Sequence, residues 1–218
     1  VFEVNALGTL NVLLASRDTR VGKIVTTSTS EVYGTAIYTP IDEKHPLQAQ
    51  SPYSASKIAA DKIAESFYKT YNIPVAVIRP FNTYGPRQSD RAIIPTIISQ
   101  ALRNKEIKIG SLTPRRDLCY VSDTVDGFRK IAASEKSIGQ VVNIGTGKDI
   151  SIGELVQTIL SIMNKNIKTI STDKRKRPEK SEVMQLLCDN RKAKKLIAWQ
   201  PQVSLKEGLY KTIEWIKT

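Results

Sequence analysis

Tyr53 and Lys57 stand four residues apart in SPYSASKIAADK, residues 51 to 62, with only small side chains between them. On a helix, residues i and i+4 share one face, so a phenol and an ammonium at this spacing can meet over one patch and together take a proton from a hydroxyl. The segment reads as helix: Ser51 suits the cap, Pro52 the first turn, and Ile58, Ala59, Ile63 and Phe67 recur at helical spacing. An ordinary helix with a Tyr/Lys surface pair would look the same, and the pair alone does not separate these readings.

Other chemically capable residues follow β-branched runs. After KIVTT comes STSEVYG, residues 28 to 34, with three serine or threonine hydroxyls and one carboxylate. After VAVIR comes PFNTYGPRQ, residues 80 to 88, with an amide and an arginine. Ser, Thr and Gly also suit plain turns. Their placement after successive strands matters because open parallel sheets bind ligands at the carboxyl ends of their strands.

The elements that must position these residues alternate. KIVTTST (23 to 29), VAVIRPF (75 to 81) and QVVNIG (140 to 145) read as strands, with helical patterns at 5 to 17, 53 to 70 and 122 to 134. This alternation predicts an α/β protein with a parallel sheet. Helices at 151 to 164 and 204 to 216 flank a polar stretch with little periodicity, and Ser151 with Glu154 makes a capping box for the first of them. Without an internal repeat or a low-complexity linker, a second domain must be interleaved with the sheet.

Composition bounds the partners. A chain of 218 residues, 40% hydrophobic and 25% charged, can bury a substantial core. Its net charge of +12 favours anionic partners. The densest basic run, DKRKRPEK (173 to 180), has no interleaved aromatics and no groove-reading motif beside it, so it reads as a solvated loop and no nucleic-acid partner is expected. No apolar run approaches a membrane span. Cys119 and Cys188 lack metal or redox spacing, which favours a reduced, cytoplasmic setting; the single histidine, His45, cannot build a metal cluster and reads as a loop residue.

Taken in order, NALGTLNVL, STSEVYG, SPYSASK, RPFNTYGPR, RRDLCYVSDTVDGF, NIGTG and RPEKSEVMQLLCDNRKAKKLIAW resemble the extended short-chain dehydrogenase/reductases that act on nucleotide sugars. The resemblance implies a Rossmann-like parallel sheet, here lacking its first β-α-β units, with an interleaved smaller C-terminal substrate domain. The implied division is 1–81 with 119–147 for the NAD-binding part, and 82–118 with 148–218 for the nucleotide-sugar part. It also implies NAD as cofactor, a nucleotide sugar as substrate and a homodimer through the helices at 5 to 17 and 53 to 70.

The resemblance assigns roles residue by residue. Tyr53 would be the acid/base on the sugar 4-hydroxyl, and Lys57 would favour the phenolate by its charge and hold the nicotinamide ribose. Thr29 matches a hydroxyl that bonds the reacting oxygen, and Asn5 a helix asparagine that supports a relay water or simply packs the helix. The backbone around Pro80 and Phe81 would meet the nicotinamide; Asn82, Arg116 and Arg177 would bind the diphosphate. Glu31 bears on the reaction type. A 4,6-dehydratase needs a carboxylate to remove the C5 proton, and GDP-mannose 4,6-dehydratases share the order Thr29-Ser30-Glu31, as do UDP-glucuronate decarboxylases; a 4-epimerase usually has a small or apolar residue there. The C-terminal blocks most resemble dehydratases acting on nucleotide-linked N-acetylglucosamine in legionaminic-acid synthesis, with Ala198 where relatives generally have Gly.

One departure is large. Among eleven glycines none forms G-x-G-x-x-G, and GTGK at 145 to 148 reads as a turn. The resemblance therefore predicts either an excerpt of a longer enzyme or a truncated product, and a non-catalytic sugar-nucleotide-binding remnant is the contrasting expectation.

Overall fold

The computed structural model describes residues 1–173 and 178–218. The β-branched runs form β1 (Ile24–Thr27), β2 (Val75–Pro80) and β6 (Val141–Ile144), a parallel sheet in the order β1-β2-β6. β2 lies at the centre, in register with Thr27 through Ile78 and with Ile144 through Pro80.

Alternation along β2 explains how both sheet faces are covered. Val75 and Val77 meet α2 (Pro52–Tyr71) through Ala64 and Phe67, and Leu13 of α1 (Gly8–Asp18) joins them. Ala76 and Ile78 face Ile131 of α4 (Val121–Ala133) together with Ile197 and Trp199. A π-helical turn, Glu3–Leu7, leads into α1, so the expected helix at 5 to 17 changes pitch near Asn5.

A second group of strands follows. β3 (Asn82–Tyr84) pairs parallel with β5 (Arg115–Tyr120), which also pairs antiparallel with β7 (Asp149–Ser151) and parallel with β9 (Gln185–Leu186). β4 (Glu106–Ile109) pairs with β8 (Lys168–Ser171). α3 (Ile93–Arg103), α5 (Ile152–Ile162) and α7 (Leu205–Lys217) enclose a core that includes Ile98, Ile107, Leu155, Ile159 and Ile213. The capping box of α5 forms as expected, with Glu154 N–H on Ser151 Oγ at 3.1 Å and Ser151 N–H on Glu154 Oε2 at 2.8 Å.

The polar stretch between α5 and α7 holds more order than its periodicity suggests: β8, β9 and α6 (Arg191–Ile197) lie there. These elements are short, two to seven residues, and take their register from the strands and core they join. Ala198 ends α6 in the left-handed region, φ 49°, so the turn forms without the glycine. His45 lies in a loop but is buried, accepting the Ile37 N–H at Nε2 and packing edge-on against Tyr33. Among the described residues no helix is long and apolar enough to cross a membrane, and no group of three or more His, Cys, Asp or Glu could hold a metal ion.

Candidate active site at the strand ends

Beyond β1 the chain turns through a 3-10 segment, Ser30–Tyr33. Thr29 is extended, φ −160°, and its hydroxyl accepts the Glu31 N–H at 3.3 Å, an N-cap in miniature. Ser30 is buried. Gly34 closes the turn at φ 63°, where a Cβ would meet Gln48 O at 2.7 Å, so the sharp exit requires glycine.

α2 begins with Ser51 as cap and Pro52 in the first turn, and this fixes the facing of Tyr53 and Lys57. Tyr53 is 43% exposed and open to a ligand. Lys57 is half-buried and donates from Nζ to Thr27 O at 2.5 Å. Burial pushes the Lys57 pKa down, and the Asp61 carboxylate one turn along opposes that. Asn5 Nδ2 donates to Ser56 Oγ at 2.9 Å, and Ser56 Oγ donates to Tyr53 O at 2.7 Å. Asn5 therefore grips the Tyr53 turn from the neighbouring helix.

A cavity of about 760 Å³ opens beside this turn, and Glu31, Asn82, Arg116, Gln88, Arg91 and Glu182 are among its lining residues. It gathers the candidate carboxylate with two of the three candidate diphosphate ligands; Thr29, Tyr53 and Lys57 do not line it. Arg116 donates from Nη2 to Glu182 Oε1 at 3.3 Å and from Nη1 to Arg115 O at 2.9 Å. Asn82 Oδ1 and Gln88 Oε1 are buried acceptors with no hydrogen-bond partner among the described residues. Pro80 ends β2, and Phe81 is buried with its N–H on Ile144 O at 2.8 Å. Arg177 lies outside the described residues.

Residues not singled out by the sequence surround the site. Arg79, in the otherwise apolar β2, gives Nε and Nη2 to Asp61 Oδ2 at 3.0 and 2.9 Å, and Ser28 Oγ donates to the same oxygen at 2.8 Å. The available signal was an arginine inside an apolar strand, which demands a buried counter-ion.

Residues 1–212 match the family described as GDP-mannose 4,6 dehydratase. The chain is 32% identical over 227 residues to human dTDP-D-glucose 4,6-dehydratase, covering 98% of this chain and 62% of that protein, so it spans about three fifths of that relative. Among solved structures it is similar to Pal from Bacillus thuringiensis, with TM-score 0.90, 39% identity and coverage of 99% of this chain and 69% of that one. It is also similar to the UDP-glucuronic acid 4-epimerase of Bacillus cereus, solved in complex with UDP-glucuronic acid and NAD, with TM-score 0.91, 30% identity and coverage of 98% and 67%.

Proposed function

The chain belongs to the GDP-mannose 4,6 dehydratase family, and on that premise we propose that it carries the catalytic and substrate-binding residues of an NAD-dependent 4,6-dehydratase. The substrate class is a nucleotide-activated hexose, with a nucleotide-linked N-acetylglucosamine the first to try. The observation that carries this reading is Glu31 in one cavity with Asn82 and Arg116, at the end of the strand to which Lys57 is tied.

Each residue has a step. Tyr53 takes the proton of the sugar 4-hydroxyl, Lys57 favours the phenolate by its charge, and Thr29 bonds the reacting oxygen. NAD, held by Tyr53, Lys57 and the backbone at Pro80 and Phe81, would supply the reversible hydride acceptor that C4 oxidation and C6 reduction need. With C4 a ketone, Glu31 removes the C5 proton and passes it to the departing 6-hydroxyl, so that water leaves; a solvent proton then reaches C5 as hydride reaches C6, Tyr53 releases its proton to solvent, and Ser30 stands beside Glu31 in the turn. Arg116 exchanges its contact with Glu182 for the diphosphate, Asn82 Oδ1 accepts a donor from the substrate, and Arg177 adds a further charge. The exposed Tyr53 and the half-buried Lys57 ammonium fit the nicotinamide ribose, and the backbone at Pro80 and Phe81 would adjoin the ring. Lacking a Gly-rich turn, these 218 residues alone would hold the dinucleotide weakly and the nucleotide sugar better.

The reading extends to the two-part division at 1–81 with 119–147 and 82–118 with 148–218, to a cytoplasmic setting, and to a homodimer through α1 and α2. Val12 on α1, Val4 in the turn before it and Ala55 on α2 are exposed, which supports that dimer face. The test is incubation of the protein as the cell makes it with NAD and a panel of UDP-, GDP- and dTDP-hexoses, followed by identification of the product. A 4-keto-6-deoxy sugar nucleotide without net cofactor consumption is expected. A C4 epimer as sole product, or carbon dioxide from UDP-glucuronate as the sole activity, would overturn the assignment.

A further inference from the structure

We infer that the buried Asp61 and Arg79 pair is a positioning device for Glu31, gripping the turn that carries it at both ends. The inference rests on the role proposed above for Glu31. Asp61 Oδ2 accepts from Ser28 Oγ at 2.8 Å, on one side of the Thr29-Ser30-Glu31 turn. Arg79 Nη1 donates to the Tyr33 hydroxyl at 2.9 Å, on the other side, and that hydroxyl donates to Asn143 Oδ1 on β6 at 2.8 Å. The two grips are joined because Arg79 Nε and Nη2 both bond Asp61 Oδ2. Both side chains of the pair are 5% exposed, so water does not compete for these contacts. Arg79 also stacks over the Tyr33 ring, with Cζ 5.0 Å from its centroid. Burial pushes the Tyr33 phenol well above its ordinary range, which keeps it a hydroxyl able to bond both neighbours.

The turn needs external support. Three hydrogen bonds that close its ends are long: Val32 N–H to Thr29 O at 3.4 Å, Gly34 N–H to Glu31 O at 3.3 Å and Glu31 N–H to Thr29 Oγ1 at 3.3 Å. Asp61 also lies one helical turn beyond Lys57, whose ammonium holds Thr27 O. Thus one helix fixes the strand end at Thr27 and Ser28, and one arginine fixes the exit at Tyr33. Glu31 is aimed between them.

Asp61→Asn leaves a buried guanidinium unpaired and risks unfolding, so the decisive variants are Ser28→Ala and Tyr33→Phe, singly and combined, which remove one hydroxyl each and keep the ion pair. Thr26→Ala, a hydroxyl deletion on the same strand outside this network, is the control. In the protein as the cell makes it, the double variant should lose at least about tenfold in kcat with KM within about twofold, the effect of a misaimed group, while Thr26→Ala keeps wild-type kcat. In hydrogen exchange on the same protein, with or without substrate turnover, the amides of Val32 and Gly34 should open at least about tenfold faster. A double variant that melts earlier yet keeps its kcat, or whose Val32 and Gly34 amides exchange at the wild-type rate, would overturn the inference. A wild-type protein that converts no sugar nucleotide would instead sink the proposed function, leaving the exchange rates to decide the grip.

Discussion

Lys57 Nζ lies 2.5 Å from the backbone carbonyl of Thr27, so the helix lysine is pinned to the last residue of β1. Because burial lowers its pKa from 10.5, the ammonium is lost at a lower pH than that of a free lysine. The alkaline limb of kcat against pH should therefore fall below that value. Lys57→Met should lower turnover by at least about a hundredfold, the scale of a lost acid/base partner. Turnover that persists undiminished in Lys57→Met would remove the lysine from the reaction.

Tyr53 and Glu31 sit on separate elements and should fail at separate steps. Tyr53→Phe removes the group proposed to take the 4-hydroxyl proton, so hydride transfer should slow by at least about a hundredfold. Glu31→Gln should still oxidise C4, visible in the near-ultraviolet absorbance of reduced nicotinamide, and then stall before water leaves. Full dehydratase turnover by Glu31→Gln would contradict its role.

Asp117 is fully buried, and both its oxygens are occupied: Oδ1 by Thr146 N–H and Oγ1–H at 2.7 and 2.6 Å, Oδ2 by the N–H groups of Gly147 and Cys188 at 2.8 and 3.2 Å. Burial nevertheless raises its pKa from 3.8 to about 6. The folded state then binds more protons than the unfolded chain between those values, so this group's contribution to stability should decline as pH rises from about 4 to about 6. Asp117→Asn sets an NH₂ against two donors whichever way the amide turns, at a cost of about 1–3 kcal/mol. Denaturant titration across that pH window, for wild type and variant, measures both effects.

Gly208 lies inside α7, where a Cβ would press against Tyr84 Oη and come within 2.8 Å of Tyr120 Cδ2. Gly208→Ala should destabilise the fold by about 1–3 kcal/mol through overpacking, more than the roughly 1 kcal/mol that helix propensity returns. A raised melting temperature would show that the two tyrosines yield.

Much of the scaffold was legible because its signals are local. β2 reads as VAVIRPF since both faces of a central parallel strand are buried, and α5 announces itself through Ser151 and Glu154. Glu31, Asn82 and Arg116 were found through the motifs around them, and they meet in one cavity. What was not legible depends on distant partners. Arg79 and Asp61 are eighteen residues apart and on different elements; Tyr33 reaches Asn143 across 110 residues. β9 is only two residues long and exists through its pairing with β5, and His45 is buried by a tertiary contact with Tyr33 that its polar neighbours do not signal.

The proposed function turns on Glu31 removing the C5 proton of a nucleotide-linked 4-ketohexose. The most direct measurement is turnover in deuterated water with the isotope located in the product by NMR. The expected product is a 4-keto-6-deoxy sugar nucleotide carrying solvent deuterium at C5, with none formed by Glu31→Gln. A product whose C5 keeps its original proton, or a C4 epimer alone, would contradict it.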